Sequence, residues 1–214
     1  MITKTQKKWM LLAIGIFLVT SLLAITINSL SYGWHIEYSI SRYVGLETWS
    51  AVLFALGNIV VAGLFGKYLF AVGEAWRMPK WFYVVVVVTA MALLGLSACP
   101  IGYFDPNGAD FGSSAPSWMH KICSRLMFAC MLILAFVWQW NSVVQMKMRR
   151  WCAVFVAYGI FCILGYIFGS NWFFSMMLVF ESAYILGFMV LCWRLQGKDL
   201  VKERTKDGRA KARN

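Results

Sequence analysis

Arg125 and Glu181 are the two residues whose placement calls most directly for a chemical explanation, because each lies deep in an otherwise apolar run. An ionisable side chain in hydrocarbon costs roughly 2.5 kcal/mol or more unless it pairs or faces a polar site. Arg125 lies about eight residues into the fourth apolar run and Glu181 about nine into the sixth. Both runs enter from the same side, so both charges sit roughly 12–14 Å below that boundary. Equal depth and opposite sign predict that they face each other. Asn58 lies about ten residues into the second run from the same side, at comparable depth. His120 opens the fourth run, and Ser124 follows at i+4 on the same helix face.

Two chemistries follow from this polar column. In the first, Arg125 holds an anionic group, Glu181 orients Arg125, and His120, Asn58 and Ser124 supply hydrogen bonds to a ligand. In the second, His120 works with Asp105 or Glu181 as an acid/base pair, making His120, Asp105 and Glu181 the catalytic candidates. A structural reading stands beside both: an Arg125–Glu181 lock between helices, with Asn58 as interhelical glue.

Other chemistries find too few residues. Two histidines, His35 and His120, are too few for a three-histidine zinc site, and neither a metal nor a cofactor is expected. Asp105, Asn107 and Asp110 lack the spacing and distal glutamate of a calcium loop and read as a tight turn. There is no nucleophile elbow and no phosphate-cradling glycine loop, and Ser113 and Ser114 read as ordinary loop residues. The 6 cysteines form no CxxC pair. Cys99 and Cys123 fall near the same ends of their runs, and the sequence leaves their pairing open.

The elements that must position these groups are helices in lipid. Of the 214 residues, 61% are hydrophobic and 14% charged, and the mean hydropathy is +0.67; a soluble domain needs roughly 25% charged residues to cover its surface. Six apolar runs span 9–31, 48–72, 81–104, 117–140, 151–169 and 172–195, each near the ~20 residues that cross a bilayer as a helix. The first is too long for a signal peptide and lacks a small-x-small cleavage site, so it reads as a retained helix. The expected fold is therefore an all-α polytopic bundle over residues 1–197, followed by a basic tail over 198–214.

Charge sets the expected orientation. Lys4, Lys7 and Lys8 precede the first run. Lys67, Glu74, Arg77 and Lys80 surround the link between the second and third. Lys147, Arg149 and Arg150 lie between the fourth and fifth, and seven more basic residues follow Arg194. The alternate links carry Glu37, Arg42, Glu47, Asp105 and Asp110, with Lys121 at the mouth of the fourth run. The positive-inside rule places both termini in the cytoplasm. The net charge of +11 is thereby an orientation signal, and nucleic acid is not an expected partner. Two links on the outer side are long, 32–47 and 105–116, and are expected to pack together as a lid.

Tyr38-Ser39-Ile40-Ser41, Trp49, Asn58, Cys99-Pro100, Asp105, His120 and Glu181 form a pattern across most of the chain. It resembles the DUF 998 group of six-helix bacterial and archaeal membrane proteins, and more distantly the Frag/DRAM/Sfk type. The resemblance implies a six-helix fold with an outer polar site and, through the distant relatives, a lipid-related role. The expectation is a multi-pass protein of the bacterial cytoplasmic membrane whose outward pocket binds a lipid headgroup or small amphiphile, with membrane lipids as partners. A lipid-modifying enzyme and an accessory partner docking through small residues such as Ala62 and Gly66 are the alternatives. Oligomeric state is not legible.

Overall fold

The computed structural model describes residues 3–99, 115–141, 144, 146–168 and 171–194. Among them the chain is all-helical: α1 (Lys4–Tyr32), α2 (Ile40–Val44), α3 (Thr48–Ala75), α4 (Lys80–Ala98), α5 (Ala115–Trp140), α6 (Met146–Phe168), α7 (Asn171–Phe174) and α8 (Met177–Arg194). Six of these, all but α2 and α7, are long and apolar enough to cross a membrane. The shortest span, α8, has 18 residues. That gives about 27 Å of rise, close to the ~30 Å hydrocarbon thickness.

Element ends follow capping chemistry. Thr3 and Gln6 form a reciprocal capping box, so α1 begins five residues before the expected Trp9. At the close of α3 the Met78 N–H returns to the Gly73 carbonyl and the Arg77 N–H to Glu74, with Arg77 at φ 50°. This left-handed reversal, followed by Pro79, ends the helix and turns the chain into α4. The third run stops at Ala98 rather than reaching Phe104. The sixth is broken at Ser175–Met176 into α7 and α8, which brings Glu181 to one turn from the start of its helix. On α6, Arg149 donates to the carbonyls of Val144 (3.0 Å) and Asn141 (2.9 Å), capping the exit from α5.

Packing closes the six spans into a ring in which each touches the next, α1–α3–α4–α5–α6–α8, and α8 returns to α1. Phe188 of α8 is fully buried at the centre. It stacks on Trp138 at 5.7 Å and meets Phe65 and Phe155 at 5.9 and 5.6 Å. Tyrosine hydroxyls tie α8 to its neighbours through backbone carbonyls. Tyr68 donates to Cys192 (2.8 Å), Tyr184 to Phe128 (2.9 Å) and Tyr158 to Phe180 (3.1 Å). Such bonds satisfy hydroxyls that lipid would leave bare. At the end opposite the 33–47 link, Lys67 and Arg194 lie over Trp9 and Trp151, 6.0 and 5.0 Å from the ring centroids.

α1 and α3 pack tightly at Gly57. A Cβ there would lie 2.7 Å from Thr20 Cγ2. Thr20 cannot easily turn away, because its hydroxyl bonds the carbonyls of Ile16 and Phe17. Gly57→Ala is expected to destabilise the bundle by about 1–3 kcal/mol through overpacking. Adding Thr20→Ala should recover part of the loss in thermal unfolding of the detergent-solubilised protein; no recovery would place the strain elsewhere.

Candidate functional site

The first long outer link, expected over 32–47, contains α2, and this short helix packs against α1, α3 and α8. Ser39 caps it by accepting from the Arg42 N–H at 3.2 Å. Its first residue, Ile40, is buried and donates its N–H to the Glu181 carboxylate at 2.8 Å. Glu181 thus serves α2 as a second, tertiary cap, where a carboxylate also meets the positive end of the peptide dipoles. The Leu178 N–H bonds the Ile36 carbonyl at 3.1 Å, fastening the link to α8 a second time. On the other side, Asn28 of α1 donates to the Tyr43 carbonyl (2.6 Å) and to Ser50 of α3 (3.0 Å). Tyr43 is fully buried and its hydroxyl accepts the His35 N–H. His35 also pairs with Glu37 at 2.9 Å, and the Glu37 carboxyl is held below the usual carboxylate range by its own backbone N–H and then by His35.

Beneath α2 lies a cavity of about 50 Å³. A water needs roughly 10–15 Å³ of such space, so the volume suits three or four waters or one small polar group. Its lining is mostly apolar, including Phe17, Phe54, Phe65 and Phe188, but Asn58, His120, Ser124 and Glu181 also face it. Those are four of the five residues expected to bind a ligand. Ser41 and Thr89 complete the polar lining.

Asn58 is 0% exposed, and neither its amide oxygen nor its nitrogen has a hydrogen-bond partner. A buried amide left bare costs about 1–3 kcal/mol. The other buried orphans among the described residues are Ser21 Oγ, Asn28 Oδ1 and Trp138 Nε1, one atom each. The Ser21 hydroxyl likewise lacks both a donor and an acceptor partner, but of these residues Asn58 alone has two orphaned atoms and lines the cavity. The interhelical bond expected of a glue residue is not made. His120 is 4% exposed, and its Nδ1 contacts the Cys99 carbonyl at 2.7 Å. A carbonyl only accepts, so Nδ1 carries the proton. The Leu96 backbone is a second hydrogen-bond partner of the ring.

Arg125 is the correction. It is exposed, outside the cavity lining, and donates from Nη2 to the Tyr166 hydroxyl at 2.9 Å. The expected Arg125–Glu181 pair is not formed; the ion pair present among the described residues is His35–Glu37. Depth was matched but azimuth was not. His120, Ser124, Met127 and Met131 form the i, i+4, i+7, i+11 stripe that α5 turns to the cavity. Arg125 stands one residue, about 100°, off Ser124 and falls on another face. Glu181 shares its own stripe on α8 with Ile185, Phe188 and Met189.

Asp105 and the rest of its link lie outside the described residues, so the expected lid contact between the two long links does too, as does the 198–214 tail. Cys99 and Cys123 are free thiols. They border a tight α4–α5 contact, where a Cβ on Gly95 would lie 2.5 Å from Cys123 Sγ. No cluster of three His, Cys, Asp or Glu residues that could hold a metal occurs among the described residues. Ala62 is buried within the bundle, whereas Gly66 faces open space.

Six apolar spans closed into a ring define the class as a multi-pass integral membrane protein. No family model, curated protein or solved structure matches the chain.

Proposed function

We propose that this protein binds a small amphiphile in the cavity beneath α2, on the outer side of the bacterial cytoplasmic membrane, with both termini in the cytoplasm. The doubly unpartnered Asn58 amide carries the reading, because a buried donor and acceptor beside an open volume are best explained by a ligand that completes them. The lining favours one ligand chemistry. Asn58 Oδ1, Ser124 Oγ and Glu181 offer acceptors, and Asn58 Nδ2 and Ser124 offer donors. No cation lines the cavity among the described residues. A hydroxyl- or amine-bearing head therefore fits better than the anionic one that Arg125 suggested, with only a short apolar stem beside the phenylalanines and methionines of the wall. The resemblance to the DUF 998 pattern belongs to the same proposal, since Ser39, Ile40, Asn58, His120 and Glu181 are among the residues that carry it.

Solvent extraction of the purified protein followed by mass spectrometry tests the binding reading. The wild type should yield a stoichiometric amphiphile that Asn58→Leu does not retain; equal recovery from both would contradict it. The His120 imidazole in the same cavity lining, beside Glu181, favours a second reading, a lipid-modifying enzyme. Turnover of labelled lipid lost in His120→Ala would select that reading over simple binding.

Orientation is checked separately. With native cysteines removed, Glu37→Cys should react with an impermeant thiol reagent on intact cells, and Lys80→Cys only after permeabilisation. The residues lie at opposite ends of α3, so labelling in the reverse sense would invert the topology and the outward placement of the cavity.

A further inference from the structure

Displaced from the cavity, Arg125 needs its own account. It lies in the apolar span 118–140 and is exposed on the bundle's outer wall, where no carboxylate among the described residues meets it. Its guanidinium has five N–H donors, of which the structure uses one, toward Tyr166 of α6. The guanidinium carbon also lies 5.4 Å from the Tyr166 ring centroid. The Tyr166 hydroxyl accepts from Arg125 and so keeps its own O–H available to donate. The ring is steadied by an edge contact with Phe174 at 5.9 Å. Lys121 stands one turn nearer the helix start, at i−4 on the same face as Arg125.

We propose that Arg125, Lys121 and Tyr166 form a lipid-facing site that holds the phosphate of an anionic phospholipid against the α5–α6 wall. Depth argues for lipid over a soluble anion. Trp118 and Trp172, both 58% exposed, are placed to mark the headgroup level at this end. Arg125 lies seven residues below Trp118, about 10 Å into the span, and its stem can carry the charge back toward the headgroups. Ile122, Leu126, Ile163 and Ile167, exposed along the same two helices, offer acyl chains an apolar surface. A cation at this depth is costly without a counter-charge, and a lipid phosphate supplies one with acceptors for the guanidinium, ammonium and phenol donors. The site is separate from the Asn58 cavity and does not depend on its ligand.

Native mass spectrometry of the full-length protein, titrated with phosphatidylglycerol and with phosphatidylcholine of the same chains, tests the proposal. Phosphatidylglycerol should bind more tightly, and Arg125→Gln should weaken it about tenfold, as loss of a charge-assisted bond requires. Tyr166→Phe, which keeps the ring but removes the hydroxyl, should weaken it about threefold. Water-soluble glycerol phosphate should not compete at matched concentration. Equal affinity for the two lipids, unchanged binding in Arg125→Gln, or competition by glycerol phosphate would each overturn the lipid site. If Arg125→Gln does not fold, Lys121→Gln and Tyr166→Phe decide, and unchanged binding in both overturns it.

Discussion

Replacing Glu181 by leucine is expected to destabilise the protein by about 1.5–3 kcal/mol and to loosen α2 from the bundle. The Ile40 N–H is buried and donates to the Glu181 carboxylate at 2.8 Å. Leucine leaves that donor bare in an apolar setting. The melting temperature should fall by roughly 3–12 °C, given ~2–4 °C per kcal/mol for a chain of this size. Glutamine keeps an acceptor oxygen and should lose less. A thiol at Ser41, in the cavity roof, should label faster in Glu181→Leu than in the parent with native cysteines removed. Wild-type stability and labelling in Glu181→Leu would mean that the carboxylate does not hold α2.

Asn58→Leu should act in the opposite direction on stability. In the ligand-free protein it removes a buried amide with two unpartnered atoms and replaces it with a side chain of similar size. Stability should stay level or rise by about 1–3 kcal/mol. Ligand retention should be lost at the same time. Stability lost on substitution would instead favour Asn58 as interhelical glue. A gain in stability coupled to loss of binding is the pattern of a residue kept for function. Thermal unfolding with and without added amphiphile separates the two, since ligand should shift the wild type and leave Asn58→Leu unmoved.

The spans were legible because their signal is a length: about 20 apolar residues have no other stable solution in lipid. Four of the cavity residues were legible too, since Asn58, His120, Ser124 and Glu181 are polar groups in apolar runs on the same side. What depth alone could not supply was direction around the helix. Counting His120 and Arg125 as neighbours ignored that i+5 is about 140° of rotation, while i+4 to Ser124 returns nearly to the same face. The stripe His120–Ser124–Met127 was already present in the sequence and excludes Arg125. α2 was missed because five residues carry no periodic signal; Ser39 three residues before Arg42 was the available cue, an N-cap serine. Asn28 was overlooked although an asparagine near the end of an apolar run meets the same criterion as Asn58. The partner of Glu181, a backbone N–H from a residue 141 positions earlier, is a tertiary fact that no local pattern encodes.

The central claim is that the cavity beneath α2 exists to be filled through Asn58. A density map of the wild type purified in native lipid, compared with Asn58→Leu prepared identically, tests it most directly. Ordered non-protein density within hydrogen-bonding distance of both Asn58 amide atoms, running back among Phe54 and Phe65 and absent from the variant, is the predicted result. A cavity that is empty in both, with α2 seated and Asn58 still unpartnered, would contradict it.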